Sequence, residues 1–400
     1  MLIINLFDFC LVRQKVIGIK MTDLKLKKET PNQYRKRLQS LFYSSGLLPI
    51  DPPEEKERIN AALKCNIPHI DLFQYRSCTK YNIYNFWKNQ QVLVNPVKFN
   101  DPFDSFPACD NEKIENSFSS LTETKFRELI DIVRLRPFDE KEIKELGGMQ
   151  TVSILQKISE IPQEELEKCF YPNFEKIKQN GLNQTIDFIN ALVKMLQQSI
   201  RIACFSEVCD SPIMWGHYAD SGKGFCIKYR VNPFHHVLFC KNNRIFTDSS
   251  CANQGLLSIL PVIYQNERYN CTRIIEEQQK YFVADTLKLD LDLSYFDFLR
   301  GFKISCFKSA DWKYEKEWRL ILDRATGFPD YYAASIFKAE ALYLGPHIAW
   351  EDEIMLLNYA AIMKTANEKP LPIYKMVVDW AQRKFQLKAI PYSHRNVNGN

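Results

Sequence analysis

The sequence predicts an α+β fold in which one split mixed β-sheet takes strands from both halves of the chain, with a large helical insertion and flanking helices. Three observations predict it. Segments of strand texture cluster before residue 100 and again after residue 200, and the region between them, 111–200, is helical in its periodicity. The strands do not alternate regularly with single helices, which argues against a doubly wound nucleotide fold.

Residues 1–67 read as a polar, mostly helical lead-in, broken at Pro49-Ile50-Asp51-Pro52-Pro53, with the acidic pair Glu54-Glu55 suited to the first turn of a second helix. A single α+β domain then covers 68–400. Leu72–Arg76 has strand texture, Tyr81–Trp87 is a short helix, Gln91–Val94 is a strand, and Lys98–Asp104 is a turn. In the helical insertion at 111–200, Leu182, Ile186, Ile189, Leu192, Val193, Leu196 and Ile200 recur at three- and four-residue intervals and mark one face. Strands follow at Ile202–Phe205 and Gly224–Tyr229. Another spans Ile259–Tyr264, where Pro261 restricts it to a sheet edge. A smaller helical insertion occupies about 265–300, and strands return at Glu317–Leu322 and Ala341–Leu344. A helix over Glu351–Thr365 and a strand at Ile373–Val378 close the chain.

Composition excludes several classes. Hydrophobic residues at 46% and charged residues at 25% are ordinary for a globular protein, and a net charge of +5 is small for 400 residues, so nothing here demands a nucleic-acid partner. The 12 cysteines are scattered from Cys10 to Cys306 with no Cys-x-x-Cys, so they read as buried, reduced thiols rather than zinc ligands. Met1–Val12 is apolar, but no basic residue precedes it, Asp8 interrupts it and no small-residue cleavage site follows. These features predict a cytoplasmic protein without a membrane partner.

Familiar phosphate and hydrolase motifs are absent. Five residues separate Gly216 from Gly222 where a P-loop has four, and Gly224 stands at its Ser/Thr position. The dinucleotide fingerprint fails at Ile227, and neither Gly-x-Ser-x-Gly nor His-Glu-x-x-His occurs. His235 and His236 would point to opposite faces of a strand. Chemistry here falls to carboxylates, aromatics, amides and one histidine.

Three motifs supply those groups. Cys204-Phe205-Ser206-Glu207 and Met214-Trp215-Gly216-His217-Tyr218-Ala219-Asp220 concentrate flat rings and exchangeable protons. In a helical turn Trp215 and Tyr218 share a side and could stack on an aromatic ligand; the plain alternative is that they plug the core. In Trp312–Leu322, read as a strand, Glu315, Glu317 and Arg319 line one face, where Arg319 would hold Glu317 ionised. The alternative there is an exposed strand face with a surface ion pair. Phe99-Asn100-Asp101-Pro102-Phe103-Asp104 is a turn closed by side-chain to backbone bonds.

These motifs, in this order and preceded by Tyr75-Arg76, resemble domain of unknown function family 2971, found in bacterial proteins, over roughly residues 72–380. That family brings no activity with it. A second resemblance is to the ADP-ribosyltransferase superfamily, in which an early Arg, a middle Ser or Tyr motif and a late Glu-x-Glu follow one another; Arg76, Ser206 with Tyr218, and Glu315-x-Glu317 fall in that order. A Ser-Thr-Ser strand diagnostic of that superfamily is absent.

This second resemblance implies NAD as substrate, with Glu317 stabilising an oxocarbenium-like ribosyl cation and Glu315 or His217 handling protons. Tyr75, Arg76, Asn100, Asp101, Ser206, Trp215, Tyr218 and Arg319 would hold the nucleotide, and no metal is called for. The expectation is a nucleotide-handling enzyme, most concretely an NAD-dependent ADP-ribosyltransferase-like protein of bacterial defence or a toxin, with a protein or nucleic-acid acceptor. Two alternatives stand beside it: a non-catalytic nucleotide- or partner-binding sensor built on the Trp215 region, and a metal-assisted phosphodiesterase or nuclease using Asp101, Asp104, Glu315 and Glu317.

Overall fold

The computed structural model describes residues 28–44, 63–65, 67–146, 149–235, 237–240, 244–245, 254–275, 300–323, 325, 327–381 and 383–392. The expected helix opening at Glu54-Glu55, most of the helical insertion at 265–300 and the first twenty residues lie outside them.

Fourteen strands are described. They are β1 (Ile70–Arg76), β2 (Gln91–Val94), β3 (Arg201–Ser206), β4 (Phe225–Val231), β5 (Val237–Cys240), β6 (Arg244–Ile245) and β7 (Gln254–Pro261). The rest are β8 (Ile263–Gln265), β9 (Phe307–Ser309), β10 (Glu317–Asp323), β11 (Tyr331–Ala334), β12 (Ala339–Leu344), β13 (Ile373–Val377) and β14 (Lys388–Pro391). Twelve of them form one sheet in the order β14-β13-β12-β4-β1-β3-β10-β7-β5-β6, with β2 joining β3 to β11 off that path. The β12–β13 pair is parallel and its other pairs are antiparallel, so the fold is α+β with a mixed sheet fed by both halves of the chain. A separate parallel pair, β8–β9, lies alongside.

Two readings of the late strands change. Pro261 does not confine its strand to an edge: β7 lies inside the sheet between β5 and β10, and Pro261 is its last residue. A missing N–H at a strand terminus costs no ladder bond. Strand β10 is buried along its whole length, so its charged residues are not an exposed polar face.

Register decides what faces what, because directly opposed residues in an antiparallel pair share a face. Phe73 lies opposite Ser206, and Ser206 opposite Glu317, so all three point to one side. The helix Pro212–Tyr218 covers that side, packing Met214 and Trp215 against Phe73, Tyr75 and Tyr343. Trp318 and Phe205 point the other way. There the helix Pro31–Ser44 stacks Tyr34 on Trp318 at 6.1 Å and contributes Leu38, Leu41 and Phe42 to the main core. The lead-in helix is thus part of the sheet's own packing. Helices Asn111–Ser119, Glu123–Leu135, Met149–Ser159 and Phe174–Gln198 fill the region between β2 and β3. A core of their own, including Phe126, Ile130, Leu155 and Phe174, sits apart from the sheet core.

Gly224 shows why the glycine-rich turn after Tyr218 is built as it is. A Cβ there would lie 2.1 Å from the Arg76 carbonyl oxygen, so only glycine lets the turn reach β1. Its role is backbone approach.

Candidate functional site

The site begins with a break in the chain. Ala310–Glu315 forms a 3-10 helix capped by the Ser309 hydroxyl, and Lys316 then adopts a left-handed conformation (φ 45°) before β10 starts. The continuous strand expected over Trp312–Leu322 is therefore interrupted, because a compact turn replaces its first half. The two carboxylates still meet. Lys308 Nζ donates to Glu315 Oε2 at 2.6 Å and to Glu317 Oε2 at 3.1 Å.

From Glu317 the network runs inward. Arg319 Nε donates to Glu317 Oε1 at 2.8 Å, its Nη1 to Asp104 Oδ1 at 2.8 Å, and its Nη2 to Asp104 Oδ2 at 2.5 Å. A further bond from Nη1 goes to the Ser305 carbonyl oxygen at 2.6 Å. Glu315, Glu317, Asp104 and Lys308 are buried and Arg319 has no exposed surface at all. Outward, Tyr218 donates its hydroxyl to Glu315 Oε1 at 2.5 Å. The Tyr218 ring is half-buried, so it is the link between the buried charges and the surface.

Charge counting explains the titration pattern. Three carboxylates (Asp104, Glu315, Glu317) face two cations (Lys308, Arg319), a surplus of one negative charge in a dry space. Excess buried charge is relieved by taking up a proton. Burial would raise the Glu317 carboxyl, but the charges of Arg319 and Lys308 outweigh it and hold Glu317 well below the usual carboxylate range. Burial and then the charge of Glu317 push Glu315 up to about 7, against the pull of Lys308. Burial and the Glu315 charge raise the Tyr218 hydroxyl, which keeps it a neutral donor. Burial would lower Lys308, yet the surrounding carboxylates keep its ammonium charged. Of the cluster's carboxyls, Glu315 is the one raised toward neutral pH.

The surface above this group is aromatic. His217 Nδ1 lies 3.1 Å from the Tyr314 hydroxyl, the His217 and Trp312 rings meet at 6.3 Å, and Lys308 Nζ lies 4.9 Å from the Trp312 centroid. Asn100 is exposed beside the Tyr218 hydroxyl.

Residues 214–320 match the profile of DUF2971, a protein family of unknown function. No curated protein and no solved structure matches the chain. The DUF2971 segment contains Trp215, His217, Tyr218, Lys308, Glu315, Glu317 and Arg319, and leaves Tyr75, Asn100 and Asp104 outside it.

Other residues named from sequence take different places. Trp215 is 1% exposed and donates its indole N–H to the Cys209 carbonyl oxygen at 2.8 Å, with its ring edge-on to Tyr75 at 5.2 Å. It packs in the core, so the expected Trp215–Tyr218 stacking platform does not form; the helix lays Trp215 on the sheet while Tyr218 turns to Glu315. Tyr75 donates its hydroxyl to the Val208 carbonyl oxygen. Arg76 pairs in register with Phe225 and, one residue past Tyr75, points to the face away from Glu317. Ser206 donates to the Glu315 carbonyl oxygen at 2.6 Å, and Asp101 accepts from Phe103 N at 2.9 Å; both shape backbone. Asp104, Glu315 and Glu317 are taken up by two cations, and among the described residues no three His, Cys, Asp or Glu side chains are grouped as a metal would require. A metal-assisted reading does not fit these residues. Lys308, Trp312 and Tyr314 were not foreseen. Three-residue strand β9 shows no alternation that could have flagged Lys308, although Trp312 and Tyr314 stood in the quoted motif.

Proposed function

We propose that the protein is a nucleotide-handling enzyme in which Tyr218 meets the ligand and Glu315, behind it, takes up or returns the proton. The observation that carries this reading is the Tyr218–Glu315–Lys308 chain beneath a wall of the exposed His217 and the half-buried Trp312 and Tyr314. A flat ring suits such a wall, and a proton carrier poised near neutral pH suits acid–base work.

The most concrete form of the reaction is transfer of ADP-ribose from NAD. The glycosidic C–N bond breaks and nicotinamide leaves with the electron pair. An acceptor hydroxyl or amine attacks the ribosyl carbon, giving its proton to the Tyr218 oxygen as the Tyr218 proton passes to Glu315. When Glu315 is ionised the cluster's surplus negative charge favours the ribosyl cation. Glu317 is then a fixed neighbour that tunes Glu315, because Arg319 and Lys308 occupy its carboxylate.

The test is NAD binding and consumption by the full chain with protein and nucleic-acid acceptors supplied. Wild type should consume NAD, and Glu315→Gln should slow it by roughly 100-fold or more while still binding. Wild type that neither binds nor cleaves NAD ends the transferase reading.

A further inference from the structure

Lys308 also lines a concavity of ≈ 230 Å³. Its apolar part is aromatic: Tyr269 and Phe307 stack with centroids 4.9 Å apart, and Phe103 and Phe106 stand exposed opposite them. The exposed guanidinium of Arg268 lies 5.7 Å from the Phe103 ring centroid and 5.5 Å from that of Phe106. Among the described residues no carboxylate pairs with it, and it lines the concavity as an exposed side chain. The position is not accidental. Ala108 N donates to the Tyr269 carbonyl oxygen, Cys271 N donates to that of Ala108, and Asp104 is pinned by Arg319, so the 103–108 wall is tied at both ends.

We infer that this concavity binds a nucleoside monophosphate unit, with the base against the aromatic wall and the phosphate on Arg268. A planar guanidinium held on ring faces keeps its donor fork free for a two-pronged bond to phosphate. The volume is below the roughly 300–1,000 Å³ of sites for drug-sized ligands, so it accommodates one ring system and its substituents, not a dinucleotide. Glu267, on the same rim, supplies an acceptor for a ring amine or ribose hydroxyls and disfavours a bare anion. Since Lys308 lines the concavity and also holds Glu315, a ligand seated here could extend its second half toward Tyr218. The inference rests on the nucleotide reading above for that extension and for the choice of probe.

Calorimetric titration of the full chain with AMP, adenosine and ribose 5-phosphate tests it. AMP should bind more tightly than either fragment. Arg268→Ala should weaken AMP by about 10- to 100-fold and leave adenosine unchanged, with Arg268→Lys intermediate. Because Arg268 is exposed, a thermal melt should match wild type, and Phe106→Ala gives a second variant that weakens AMP and adenosine alike. AMP affinity unchanged in Arg268→Ala, or no AMP binding to wild type at millimolar concentration, overturns the inference. AMP bound through Arg268 by a protein that never turns over NAD would instead sink the transferase reading and leave this site standing.

Discussion

Arg319 and Asp104, 215 positions apart in sequence, are joined by two parallel N–H···O bonds in a space closed to solvent. The pair ties the Asn100–Asp104 turn to the middle of the sheet. Ser105 tightens the joint by donating its hydroxyl to Asp104 Oδ1 at 2.9 Å, with a backbone φ of 53°. One contact thus positions Asn100 beside Tyr218 and Phe103 at the Arg268 concavity.

Removing Asp104 should be costly. Asp104→Ala leaves the Arg319 charge buried with one carboxylate partner fewer, and breaking a buried pair from one side typically destabilises by about 3–5 kcal/mol. Denaturant unfolding of the variant and wild type measures this. A loss below about 1 kcal/mol would mean that water reaches Arg319 and that the turn is held by other contacts.

Glu317→Gln separates the sequence-based expectation from the structure. Read as an exposed strand residue, Glu317 could lose its charge with little effect on stability. Buried, it accepts from Arg319 and Lys308, and a neutral amide takes a charged partner from each while turning an N–H donor toward them, with Arg319 keeping Asp104 and Lys308 keeping Glu315. The expected outcome is a destabilisation on the order of 3 kcal/mol. A cycle with Lys308→Met should show coupling of about 0.5–3 kcal/mol. Strictly additive changes would show that the two groups do not interact in solution.

Trp215 and Trp312 should respond in opposite ways. Trp215→Phe loses the indole bond to Cys209 and leaves a gap against Tyr75, so about 1–3 kcal/mol of stability should go while ligand affinity holds. Trp312→Ala, at a half-buried position on the aromatic wall, should keep most stability and weaken nucleotide binding. Thermal melts and titrations of both variants decide this. Weakened binding in Trp215→Phe alone would move the site to the sheet.

What the sequence revealed and what it hid follow from how each signal is encoded. The mixed sheet was legible because strand texture is local and recurs on both sides of 111–200. The turn at Asp101 was legible because its closing bond spans two residues. Arg319 beside Glu317 followed from strand alternation alone. Lys308 and the inward role of Asp104 were not legible: both depend on register between segments remote in sequence, and a lone Lys or Asp carries no periodic mark. Trp215 misled for a related reason. Helical spacing puts it near Tyr218 in angle, but only packing shows that one lies on the sheet and the other at its margin.

The Glu315 proton gives the last prediction. In the unfolded chain this carboxyl ionises near 4.5, and in the fold it is raised to about 7 by burial and by Glu317. Between those values the folded state holds a proton that the unfolded state has lost, so stability must fall as pH rises through that window. Glu317 works in the opposite sense: its carboxyl is lowered in the fold, so its contribution is lost only as pH drops below about 4.5 and is constant above that. The cations facing Glu315, on Lys308 and Arg319, stay charged across this window because, against the pull of burial, the carboxylates around them raise both above their ordinary values. Comparing wild type with Glu315→Gln from pH 5 to 8 isolates the slope, since the substitution shifts the absolute stability by an amount independent of this proton. Wild-type unfolding midpoints should decline toward neutrality relative to the variant, and NAD consumption should show an apparent ionisation near 7. Parallel stability curves would show Glu315 ionised throughout, with Lys308 outweighing Glu317, and would leave Tyr218 without a proton acceptor that switches at neutral pH.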